Sequence, residues 1–103
     1  MVYGNHGLGA IEGVLGRVIN RIMYENMDDA FEVAAMYAVA IARGHVFNDG
    51  NKRTALLVAL TYLDLQGIDL PRSDQLEEIM VDVAQGVVDY KEFAKMLYVL
   101  DRQ

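Results

Sequence analysis

Nine consecutive positions, His45-Val46-Phe47-Asn48-Asp49-Gly50-Asn51-Lys52-Arg53, gather an imidazole, a carboxylate, two amides and two cations around one glycine. Each of these types has a use in nucleotide-phosphate chemistry. Gly50 lets the backbone approach a ligand closely, and the amides of Gly50, Asn51 and Lys52 at the start of a helix form an anion-binding nest. Lys52 adds a point charge, while Arg53 offers a planar two-pronged donor to phosphate oxygens. Asp49 suits Mg²⁺, which on nucleotides is held by one or two carboxylates plus phosphate oxygens and water. His45, with an ordinary pKa near 6.5, can be neutral at neutral pH and take a proton from an incoming hydroxyl, so it is the expected general base. Phe47 is expected to turn inward and pin the loop to the core.

The elements that must position this loop are helices. Glycines and the single proline divide the chain into five stretches of helical periodicity, and none shows the sustained alternation of a strand. The first helix is predicted from Leu8 or Gly9 to Tyr24, with Ile11, Leu15, Val18, Ile19 and Ile22 on its inner face. The second starts at Asp28 or Asp29 and stops at Gly44, and its apolar middle, Val33 to Ala42, marks it as the buried central helix. A third runs from Asn51 to Gln66 with Leu56, Ala59, Leu60 and Leu63 inward, ended by Gly67. Pro71-Arg72-Ser73 opens a fourth that ends near Gly86, and Asp89 with Glu92 forms a capping box for a fifth ending near Leu100.

Composition narrows the function. The chain has 103 residues, 53% of them apolar, enough for one packed domain. A net charge of −6 argues against direct binding to nucleic acid, because nonspecific affinity there comes from Lys and Arg on phosphates. No cysteine is present, so there is neither a disulfide nor a thiolate metal site, in keeping with a cytoplasmic location. The N-terminal residues lack a signal-peptide pattern, and the longest apolar run falls well short of a membrane span, so no membrane partner is expected.

The pattern His45-x-Phe47-x-Asp49-Gly50-Asn51-Lys52-Arg53 resembles the signature of the Fic/Doc family in its Doc form, in which lysine stands in place of the second glycine of the Fic motif. Similarity to Doc toxins extends from Gly16-Arg17-Val18 to Tyr24-Glu25, through Phe31-Glu32-Val33, and on to Ala42-Arg43-Gly44. The resemblance implies an all-α Fic fold, a compact bundle of about five to six helices around a buried central helix pair. It implies a single domain over residues 1–103 that lacks the N-terminal helix usual in Doc-like chains, leaving a patch open to homo-oligomer formation. It also implies a growth-arresting toxin, often prophage- or plasmid-borne, held in check by a small antitoxin. ATP and Mg²⁺ are the implied cofactors, with His45 as catalytic base, Asp49 on the metal, and Gly50, Asn51, Lys52 and Arg53 as the phosphate cradle. Doc proteins act as kinases. The lysine is thought to reverse the nucleotide so that the γ-phosphate goes to a hydroxyl of a protein, by resemblance elongation factor Tu, and translation stops.

Two other functions fit the same residues. One is Fic-type protein adenylylation, against which stands Leu56, where Fic enzymes carry a second arginine. The other is a catalytically degenerate module that binds an antitoxin or another partner. Ser73-x-x-x-Glu77 is similar to the inhibitory motif of autoinhibited Fic proteins, but Glu78 breaks it, so inhibition by an antitoxin tail laid in an apolar groove beside the loop fits better. Elsewhere the simplest roles apply. His6 is expected to be a mobile N-terminal residue, Tyr24, Tyr37 and Tyr62 core or boundary residues, and the methionines packing residues. Arg17, Arg21 and Arg43 are expected to be solvated helix arginines with buried stems, and Asp74, Glu77 and Glu78 a solvated face.

Overall fold

The computed structural model describes residues 2–43 and 51–103, with side chains from residue 12 onward. Five helices make up the described chain: α1 (Val2–Tyr24), α2 (Ala30–Arg43), α3 (Asn51–Leu65), α4 (Asp74–Gln85) and α5 (Tyr90–Asp101). The all-α expectation holds. α2 is the hub, packing most extensively on α3 and also on α5, α1 and α4.

The α2–α3 pair is central, and many of its buried residues are small. Ala34, Ala35 and Ala38 of α2 and Ala55 and Ala59 of α3 have no exposed surface, with Leu56 and Leu63 filling the space beside them. Alanine at these positions lets two helix backbones approach closely while still burying apolar area. Leu76, Met80 and Val83 of α4 and Phe93 and Leu97 of α5 close the core, and no polar residue is buried among the described residues.

Helix ends follow local chemistry. The Asp29 carboxylate accepts from the amides of Phe31 at 2.8 Å and Glu32 at 3.2 Å, which caps α2. Ser73 Oγ accepts from Leu76 N–H at 3.2 Å, and Asp89 accepts from Glu92 N–H at 2.8 Å. Gly67 and Gly86 take φ of 84° and 83°, the left-handed conformation that lets Ile68 N–H reach back to Leu63 O and Val87 N–H to Asp82 O, both at 2.9 Å.

α1 departs from expectation in three ways. It starts at Val2 rather than Leu8 or Gly9, so His6 lies within a helix and not in a mobile tail. Gly4, Gly7 and Gly9 each cost about 1 kcal/mol in a helix, but no proline or capping residue interrupts propagation. Its packing face is also rotated. Val14 and Val18 are buried, Leu15 and Ile22 are half-buried, and Ile19 is 44% exposed; the Ile11 side chain lies outside the described residues. Finally, Met23 and Tyr24 are 71% and 89% exposed, so neither packs in the core. They sit in the last turn of α1.

Candidate functional site

Of the residues expected to carry chemistry, Asn51, Lys52 and Arg53 are described. They form the first turn of α3, with Lys52 and Arg53 exposed and Asn51 half-buried. That turn holds no acidic residue. Two cations at a helix N-terminus oppose the macrodipole, each unfavourable by about 0.3–1 kcal/mol, so this choice of residues does not serve the helix. It does serve an anion, which would meet two positive charges and the outward-pointing amides of the first turn together. His45, Phe47, Asp49 and Gly50 lie outside the described residues. No cluster of three His, Asp or Glu side chains among the described residues is placed to hold a metal.

The end of α2 is fixed by a contact that the sequence does not reveal. Arg43 Nε donates to Val83 O at 3.0 Å and Nη2 donates to Val88 O at 2.7 Å, tying the last residue of α2 to the α4–α5 junction. Val83 belongs to the last turn of α4, where its carbonyl also accepts from Gly86 N–H at 3.2 Å, so the guanidinium adds a second, charged donor there. Arg43 is therefore an anchor as well as an exposed helix arginine. Arg43→Met keeps the stem and removes the donors. It is expected to cost about 2 kcal/mol in urea unfolding, with Arg43→Lys recovering only part, because an ammonium cannot reproduce the planar fork. Equal midpoints for parent and Arg43→Met would remove the anchor.

A cleft of about 300 Å³ adjoins this anchor, lined by Arg17, Arg21, Arg43 and Tyr90 over an apolar floor. Arg21 pairs with Glu25 at 2.7 Å and lies 5.2 Å over the Tyr90 ring. The hydrogen bond to Glu25 holds its pKa above the ordinary arginine value, outweighing partial desolvation. This pair is roughly half exposed, so its effect on stability is small.

On another face, Leu15, Tyr37, Leu57, Val58, Thr61, Tyr62 and Leu65 line an apolar groove. The Tyr37 and Tyr62 rings are 5.9 Å apart, and both are half-buried. Burial, assisted by Tyr62, raises the Tyr37 pKa above its ordinary value of 10.0. A raised phenol pKa contributes stability that is complete below about pH 10 and is lost as pH rises through the folded value. Tyr37→Phe should accordingly lose less stability than the parent between about pH 9 and about pH 11 in urea titrations. Parallel losses would show that Tyr37 titrates as it does unfolded.

Ser73 and Glu77 are occupied locally, Ser73 as the α4 cap and Glu77 with Arg72 at 3.5 Å. Asp74 and Glu78 are exposed beside them, as expected of a solvated face. Leu56, at the position of the second Fic arginine, is 1% exposed within the core.

The model of the Fic/DOC family matches residues 6–63, which include the whole His45–Arg53 motif. The chain belongs to the Fic/DOC family. Among curated proteins it is 45% identical over 89 residues to the protein kinase doc of Escherichia phage P1, covering 86% of this chain and 71% of that protein. It is 36% identical over 70 residues to the toxin Doc of Mycolicibacterium smegmatis, covering 65% of this chain and 54% of that one. The Fic/DOC match ends at Leu63 in α3, so α4 and α5 lie beyond it, yet they complete the core and hold Arg43. Among the described residues no helix of this Fic/DOC chain is long and apolar enough to cross a membrane.

Proposed function

We propose that the chain is a Doc-type toxin that acts as a protein kinase, transferring the γ-phosphate of ATP to a hydroxyl of a protein target. The likeness to the phage P1 protein kinase doc at 45% identity carries this reading. Two features support it over adenylylation. Lys52 stands where the Fic motif has its second glycine, and Leu56 is buried where a second arginine would have to reach a phosphate.

In this reaction the target hydroxyl oxygen attacks the γ-phosphorus while the bond from that phosphorus to the β-γ bridging oxygen breaks, and ADP leaves. His45 accepts the hydroxyl proton as the new phosphate ester forms. The first turn of α3 holds the phosphates, with its amides, Lys52 and Arg53 facing the developing charge in a fixed arrangement that needs no reorganisation. Asp49 would hold Mg²⁺, which neutralises phosphate charge when bound. By resemblance the target is elongation factor Tu and the setting is the cytoplasm of a host cell. A small antitoxin is the inhibitory partner, and the apolar groove between α1 and α3 is a surface available to its tail.

Parallel incubations with Mg²⁺, elongation factor Tu and ATP labelled at the α or γ position test this. The expected outcome is γ label on the target and no α label. An α signal would instead make the chain an adenylyltransferase, and silence with both labels from folded protein would reduce it to a binding module or move it to another substrate.

A further inference from the structure

We propose that Arg43 is a positioning residue for His45: by clamping the last turn of α2 to the α4–α5 junction, it sets the point from which the chain reaches the base. This inference rests on the kinase reading above. The first ground is reach. His45 follows Arg43 by two residues, so its Cα stands no more than about 7 Å from that of Arg43, however the intervening residue is arranged. The second ground is how the end of α2 is held. Ala42 is 5% exposed, whereas Arg43 lies on the surface, so apolar burial stops one residue before the helix does. The last turn of a helix leaves its carbonyls without intrahelical partners and frays unless something fixes it. Here the guanidinium fixes it, with Nε donating to Val83 O at 3.0 Å and Nη2 to Val88 O at 2.7 Å.

The third ground is that the acceptors are themselves fixed. Val83 and Val88 are both buried, and the chain between them turns through Gly86 at a φ of 83°, closed by Val87 N–H on Asp82 O at 2.9 Å. Two carbonyls on such a turn, gripped by two nitrogens of one planar group, fix position and rotation together, which a single contact would not. An exposed arginine gives up rotamer freedom to make this grip, although water would satisfy the same nitrogens without that loss. The phosphate-binding turn of α3 lies outside the clamp, because its place is set by Ala55 and Leu56, both buried. Loss of the clamp should therefore reach the base and spare the nucleotide.

Arg43→Met, Arg43→Lys and Val33→Ala would be compared with the parent chain in single-turnover transfer from γ-labelled ATP at saturating target, with ADP affinity measured by calorimetry. Val33 is buried at the other end of α2, so its truncation loosens the core without touching the clamp. Expected for Arg43→Met is a maximal rate lower by about 10–100-fold with ADP affinity unchanged, since a small misplacement of a reacting group is costly. Arg43→Lys should recover part of the rate, and Val33→Ala should keep the parent rate per folded molecule. A second readout needs no turnover. The chain has two histidines, so the imidazole resonance of His45 is identified by its absence from His45→Ala. Arg43→Met should displace that resonance and Val33→Ala should not. A parent-like rate or an undisplaced His45 resonance in Arg43→Met would overturn the proposal, as would an equal loss in Val33→Ala or a loss lying wholly in ADP affinity. If the parent itself transfers no label, the kinase reading falls, and the resonance alone decides whether Arg43 positions His45.

Discussion

His45→Ala is expected to lower phosphate transfer to the target by about 10²–10⁴-fold, the usual contribution of a positioned general base. The unfolding midpoint should match the parent, because the residues that hold α2 and α3 together, Ala34, Ala35, Ala38, Ala55, Ala59 and Leu63, are distributed along the helices and not in the loop. Single-turnover assays with γ-labelled ATP would measure the rate, and nucleotide titration would separate loss of chemistry from loss of binding. Transfer at the parent rate would remove His45 from the mechanism. A large rise in nucleotide dissociation constant with an unchanged maximal rate would make it a binding residue.

Phe93→Ala should have the largest effect on stability, about 3–5 kcal/mol in urea unfolding. Among the described residues Phe93 is the largest side chain with no exposed surface, and its helix packs on α2. Domains of this size have about 5–15 kcal/mol in total, so a loss of this order populates unfolded chains at physiological temperature. Leu65→Ala is the control. Leu65 is 76% exposed, and its truncation should stay within about 0.5 kcal/mol of the parent. Similar losses from the two substitutions would mean that α5 contributes little to the core.

Much of the architecture was legible because five of the helix boundaries have a local cause. Asp29, Ser73 and Asp89 cap the starts, and Gly67 and Gly86 end their helices through positive φ. The motif was legible through side-chain types that no connection between two buried helices requires. Nothing local disclosed the role of Arg43, because its acceptors are carbonyls 40 and 45 residues away and every residue has a carbonyl. The rotated face of α1 escaped for a related reason. Leucine, isoleucine and valine are spread around that helix, so periodicity alone does not decide whether Val14 or Ile19 faces α2.

The buried alanines of α2 and α3 also shape which mutations the chain can survive. At Ala34, Ala35, Ala38, Ala55 and Ala59, which have no exposed surface, any larger residue overpacks the core, at about 1–3 kcal/mol for even modest additions. On the proposed toxin reading, a gene whose product harms its host is under pressure to fail, and these codons offer many single-base routes to failure that leave the loop chemistry untouched. Inactive copies should therefore carry lesions in the smallest core residues as readily as in His45, and an intact motif is a poor guide to whether a given copy still works.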